Sequence, residues 1–200
     1  MDERYQRYRR ALGERALPAA LVDLDLFERN IDRAVTVARE TARPLRVATK
    51  SVRSLDLLRR ISARASNHVV GLMAYSAREA LRLAEEGFRD ILVAYPVARP
   101  TEATLLARAN KSGATVSVVI DDVAQLDALA LGASREAGVI PVVVDVDVSL
   151  RVAGAHLGVR RSPVRTAREV VELARAVTKR GGLRFHGVMA YEAQVAGLAD

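Results

Sequence analysis

The 200-residue chain contains no cysteine, which removes disulfides, thiolate zinc centres and cysteine nucleophiles together. Aromatic residues make up only 4%, too few for the stacking platforms that nucleic-acid bases need. The net charge of +7 and a pI near 10.3 raise the question of nucleic acid, but the arginines are scattered and interleaved with Glu and Asp, so no such partner is expected. No window approaches the ~18 uninterrupted apolar residues of a membrane span. The start, Met1-Asp2-Glu3-Arg4, lacks the apolar core of a signal peptide. A cytoplasmic protein is the expectation. Lysine is the scarcest charged residue: among 31 Lys+Arg, only Lys50, Lys111 and Lys179 are lysines.

Half of the chain is hydrophobic and 28% is charged, a normal globular balance, and the length suffices for one core. The stretch Leu45-Arg46-Val47-Ala48-Thr49-Lys50-Ser51 is a short apolar strand ending on one of the three lysines. A strand-end lysine can simply snorkel its ammonium into water. In a chain that otherwise writes arginine, it can also do what a guanidinium cannot, which is lose a proton and attack a carbonyl to form a Schiff base.

Residues 3–16 read as a basic amphipathic helix, with Tyr5, Tyr8 and Leu12 on one face. Ala19–Leu24 reads as a strand, and Leu26–Thr41 as a helix with Phe27, Ile31, Ala34, Val35 and Ala38 on its apolar stripe. The chain then alternates regularly. Strands are expected at 46–49, 69–74, 91–95, 115–120, 139–146 and 183–190, separated by helices. Ser76-Ala77-Arg78-Glu79 and Thr166-Ala167-Arg168-Glu169 read as capping boxes, and Gly87, Gly113 and Gly138 as helix stops. Short, continuous Val/Ile/Leu strands between helices predict a parallel sheet with right-handed crossovers. No GxGxxG or GxxxxGK[ST] follows any strand, which favours a (β/α)₈ TIM-type barrel over an open nucleotide-binding sheet. Six strand–helix units are countable, whereas a closed barrel needs eight in about 250 residues. The expected fold class is therefore α/β, an incomplete TIM-type barrel, with residues 1–17 as an N-terminal helix and 18–200 as the barrel portion.

Barrel active sites form at the C-terminal strand ends. Those positions hold Lys50, Tyr75, Tyr95, Asp121, Asp145, Asp147, Ser149, Arg151, Tyr191, Glu192 and Gln194. A lysine, tyrosines and an arginine at one mouth suit an aldehyde cofactor: the amine binds the carbonyl, a ring covers a flat heterocycle, and the arginine pairs with an oxyanion. Val148–Pro163 is the longest excursion after any strand and carries Arg151, His156, Arg160, Arg161 and Ser162. His68, His156 and His186 have no metal-ligand spacing and read as structural.

Three stretches carry a resemblance: Pro18-Ala19-Ala20-Leu21-Val22-Asp23-Leu24-Asp25 with Asn30, Ala48-Thr49-Lys50-Ser51, and Gly87-Phe88-Arg89-Asp90-Ile91-Leu92-Val93-Ala94-Tyr95-Pro96. With Gly187-Val188-Met189-Ala190-Tyr191-Glu192-Ala193-Gln194, residues 17–200 resemble the fold-type III pyridoxal-phosphate enzymes, most of all the D-threonine aldolase/D-serine dehydratase branch, and more distantly the alanine racemase N-terminal domain. The resemblance implies pyridoxal 5′-phosphate as cofactor and Lys50 as its aldimine lysine and a base. It places Arg151 near the cofactor's phenolic oxygen, with Arg160 as competitor, Tyr191 against the pyridine ring and Gln194 near it. It implies a lyase that cleaves or dehydrates small D-amino or β-hydroxy amino acids, in a homodimer. The family's C-terminal β-domain, to which Ala19–Leu24 would contribute, its last phosphate-binding loops and any divalent-metal ligands fall outside this sequence. Two rival readings are a non-catalytic cofactor-binding barrel and an inactive fragment.

Overall fold

In the computed structural model, which describes residues 2–196, the chain forms two compact units, Met1–Leu45 with Leu55–Val69, and Arg46–Ser54 with Val70–Asp200. The first unit is helical. Helix α1, Glu3–Leu12, is capped by Asp2, whose carboxylate accepts from the Arg4 N–H at 2.9 Å, and buries none of its residues. Helix α2, Leu24–Glu40, starts on Asp23, which accepts from Leu26 N–H at 3.2 Å and from Tyr8 Oη–H at 2.9 Å. Arg7 forms an ion pair with the same carboxylate. The expected strand Ala19–Leu24 is therefore corrected: among the described residues it pairs with no strand, and Asp23 serves as a helix cap instead. Ile31 and Ala38 are the buried part of the α2 stripe, and Leu58, Ile61 and Ala65 that of α3, Leu55–Ala65. Arg64 reaches from α3 to Asp32 at 2.7 Å and to Glu28 at 3.0 Å on α2.

The second unit is built on a six-stranded parallel sheet. Its strands are β1 (Leu45–Ala48), β2 (Val69–Ala74), β3 (Asp90–Val93), β4 (Thr115–Ile120), β5 (Ile140–Val146) and, at the far edge, β8 (Leu183–Ala190), in the order β1-β2-β3-β4-β5-β8. Helices α4 (Ala77–Glu85), α5 (Pro100–Lys111), α6 (Gln125–Arg135) and α7 (Ala167–Thr178) connect them. This alternation is that of an incomplete TIM-type barrel.

Central strands are apolar on both faces: Val116, Val118, Val119 and Ile120 of β4 and Ile140, Val142 and Val144 of β5 are fully buried. Edge strand β8 instead alternates exposed residues with ones that are half-buried or, at Leu183, buried. Between Val142 and Val143 the β5–β8 register slips by one residue, from Val142–Phe185 to Val143–Gly187. That bulge leaves His186 unpaired and brings Met189 and Ala190 opposite Asp145 and Val146. Helices α5 and α6 pack closely because position 132 is glycine: a Cβ there would lie 2.3 Å from Ala103 Cβ.

The Val148–Pro163 excursion contains a hairpin that hydrophobic patterning did not reveal. Strands β6 (Leu150–Val152) and β7 (Ala155–Leu157) pair antiparallel with Arg151 opposite His156. The two turn residues, Ala153 and Gly154, have φ of 46° and 82°, the left-handed conformation that a two-residue hairpin turn requires. No helix among the described residues is long and apolar enough to cross a membrane.

Candidate active site

At the end of β1 the chain enters one turn of 3-10 helix, Thr49–Ser51. Thr49 is buried and its hydroxyl donates to the Met73 carbonyl at 3.1 Å, which ties the turn to β2. The Val52 N–H closes the turn on the Thr49 carbonyl at 3.0 Å. Lys50 is consequently held by its backbone while its side chain stays exposed, with no hydrogen bond or ion pair among the described residues. A primary amine so placed is available to a ligand.

Lys50 lines a cavity of about 370 Å³ at the C-terminal ends of β1, β2, β3 and β8, a size within the small-molecule range. The floor is apolar, with Ala48, Met73, Ala74, Leu92, Ala94 and Met189. Tyr75, Tyr95 and Tyr191 also line it. Thus three of the chain's five tyrosines converge here, and all three are exposed, which argues against packing as their only role. Tyr75 and Tyr95 meet edge-to-face, with centroids 5.0 Å apart and planes at 61°.

One guanidinium completes the lining. Arg161 sits with its charge 5.6 Å from the Tyr95 ring centroid and 5.8 Å from that of Tyr191. Its Nε–H donates to Asp145 Oδ2 at 2.9 Å, and one terminal N–H to the Ala94 carbonyl at 2.6 Å. Asp145 comes from the end of β5 and is buried, and its Oδ1 has no partner. Burial pushes its pKa above the ordinary carboxylate range against the pull of Arg161, with nearby Asp121 adding to the rise. Two residues on, burial also pushes Asp147 upward, but hydrogen bonds from Ser149 and the Arg165 charge outweigh it and hold its pKa low. Ser149 N–H reaches Asp147 Oδ1 at 2.8 Å, and Arg165 reaches Oδ2 at 2.5 Å.

The structure therefore brings Lys50 and Tyr191 to one cavity, together with Tyr75 and Tyr95 from the strand-end set. Arg151 stands elsewhere. It lies on β6 and lines a neighbouring concavity with Arg160, because the hairpin carries it away from the β5 end. The cation facing the lysine cavity is Arg161, on the return from the hairpin. The signal for it was Asp145, since a carboxylate buried at a strand end needs a cationic partner. Gln194 does not line the cavity. From the short helix α8 (Ala193–Ala196) its amide donates to the Val148 carbonyl at 2.9 Å, tying the β8 exit to the start of the excursion. Gln194 Oε1 and His156 Nε2 are buried without partners. Among the described residues no group of three or more His, Cys, Asp or Glu side chains could hold a metal ion.

A parallel α/β sheet with a lysine, three tyrosines and an arginine gathered in one cavity at its C-terminal strand ends defines the class: a barrel-type α/β protein whose candidate site lies where such folds place it. The model of the family described as alanine racemase, N-terminal domain, matches residues 22–199, and the chain belongs to that family of fold-type III pyridoxal-phosphate enzymes. It is 31% identical over 175 residues to 3-hydroxy-D-aspartate aldolase of Paracoccus denitrificans, covering 88% of this chain and 42% of that protein. Among solved structures it resembles D-threonine aldolase from Filomicrobium marinum, with a TM-score of 0.72 and 27% identity over 86% of this chain and 43% of the other. The fold is shared as well with D-threo-3-hydroxyaspartate dehydratase from Delftia sp. HT23, at TM-score 0.70 and 23% identity, over 88% and 44% of the two chains. The chain spans less than half the length of each of these relatives.

Proposed function

We propose that this chain forms the lysine-bearing half of the active site of a pyridoxal-phosphate lyase acting on small D-amino acids with a β-hydroxyl group. The observation that carries the reading is Lys50, an unpaired primary amine at a strand end, opening into an apolar and tyrosine-lined cavity beside one buried-pair arginine. The donor set fits the cofactor: Lys50 Nζ would hold its carbonyl carbon covalently, the tyrosine rings would bound its ring, and Arg161 would face an oxyanion. When bound, pyridoxal phosphate supplies an electron-withdrawing pyridine that stabilises negative charge at the substrate's α-carbon.

The chain's own residues then set the conditions. The Thr49–Met73 hydrogen bond fixes where Lys50 Nζ can accept or return a proton. Asp145 keeps Arg161 oriented, and the apolar floor limits water near the reacting carbon. Cleavage between α- and β-carbons gives glycine and an aldehyde; loss of the β-hydroxyl gives a keto acid and ammonia. The aldolase relatives at 31% and 27% identity favour the first. Titration of the protein with pyridoxal phosphate tests the reading. The wild type should develop a visible absorbance band that Lys50→Ala lacks, and an identical band in Lys50→Ala would sink the assignment.

A further inference from the structure

Next to the lysine cavity is a second concavity of about 300 Å³, walled by Asp147, Arg151, Arg160, Arg161, Ser162 and Arg165, with Pro163 between them. Arg161 belongs to the walls of both. Two of its four guanidinium groups are already neutralised, Arg161 by Asp145 at 2.9 Å and Arg165 by Asp147 at 2.5 Å. Asp147 is the one carboxylate in this wall, and its two oxygens are engaged by Ser149 and Arg165. Ser162 is also engaged, donating to the Asp145 carbonyl at 2.7 Å. The side chains of Arg151 and Arg160 have no ion pair or hydrogen bond among the described residues. Arg151 is presented by the β6–β7 hairpin, in register with His156. Arg160 comes from the returning strand of chain, where Arg161 N–H turns back onto the Val159 carbonyl at 3.0 Å.

Two uncompensated guanidinium groups facing one concavity attract an oxyanion, and their planar forks match a carboxylate better than a point cation would. The wall shared through Arg161 makes that anion a neighbour of the Lys50 amine. We propose that this concavity is the subsite for a second carboxylate, carried by the far end of a dicarboxylic substrate whose reacting carbon lies in the lysine cavity. Arg151 and Arg160 would then select β-hydroxy dicarboxylic amino acids over neutral ones. The substrate assignment rests on the reading of the Lys50 cavity as the reaction site; the charge of the concavity does not.

Calorimetric titration of the whole chain with succinate and with butyrate tests this, because the two probes have equal carbon counts and differ in the second carboxylate. Wild type should bind succinate roughly ten-fold or more tightly than butyrate, and Arg151→Ala/Arg160→Ala should bring the two within about two-fold. Equal binding in wild type, or a preference that survives in the double variant, would overturn the proposal. Uptake of pyridoxal phosphate is followed in parallel. Cofactor binding that competes with succinate and weakens in the double variant would assign the concavity to the phosphate, also overturning it. A wild type that prefers succinate but takes up no cofactor would refute the functional reading and leave the anion subsite standing.

Discussion

Replacing Arg161 with alanine strips a buried carboxylate of its ionic partner. The Asp145 side chain is 3% exposed and its Oδ1 is already unpaired, so Oδ2 would be left without Arg161 as well. Removing one member of a buried pair costs about 3–5 kcal/mol. Arg161 is 26% exposed, so water screens part of this pair, and a loss of about 2–3 kcal/mol is expected at pH 8. The carboxyl can relieve its burial by taking up a proton. Burial already raises its folded-state pKa, and Arg161 opposes that rise. A carboxyl whose pKa is raised on folding contributes stability that is full below its unfolded value, near about pH 4, and lost as pH climbs through the folded value. Without Arg161 the folded value moves further up and the loss deepens. The deficit of Arg161→Ala against wild type should therefore be largest at pH 8 and shrink toward pH 4. Urea unfolding followed by circular dichroism at several pH values measures it, and groups such as Asp147 that titrate in both proteins cancel in the difference. A deficit that stays flat with pH would refute the electrostatic reasoning and leave only lost packing.

The companion variant Asp145→Asn removes the charge at nearly constant volume; its stability at pH 8 should stay within about 1 kcal/mol of wild type by urea midpoint. Gly132→Ala gains about 1 kcal/mol of helix propensity. Its Cβ would nonetheless come within 2.6 Å of the Ala103 backbone carbonyl carbon, so a net loss of about 1–2 kcal/mol is expected from overpacking. A more stable variant would contradict the close α5–α6 approach. Thr166→Ala breaks the capping box at the start of α7, where Thr166 Oγ accepts from Glu169 N–H at 3.3 Å, and should lower stability by about 1 kcal/mol in thermal unfolding.

Much of this architecture was legible because it depends on local chemistry. The apolar runs at 115–120 and 183–190 became strands with those bounds, and Ser76 and Thr166 cap α4 and α7 as their spacing with Glu79 and Glu169 foretold. At Ser76 the reciprocal half differs, since Glu79 accepts from Tyr75 N–H at 2.7 Å. The rest was not legible because tertiary context decides it. Ala19–Leu24 has strand-like composition, yet its Asp23 is used as a cap and by Tyr8. Arg151 follows β5 by only a few residues in the sequence, but where it stands depends on the path of the excursion. Leu-Arg-Val and Ala-His-Leu flanking Ala153-Gly154 form a hairpin, and that fold moves Arg151 aside and delivers Arg161. Lys50 stood out by scarcity, a compositional signal that needs no tertiary information.

The central claim is that Lys50 carries the cofactor. Borohydride treatment of the protein loaded with pyridoxal phosphate, followed by proteolysis and mass analysis, tests it most directly. The visible band should disappear and the cofactor should be fixed to the peptide containing Lys50, with Lys111 and Lys179 unlabelled. Label on either of those lysines instead, or on no peptide, would contradict it.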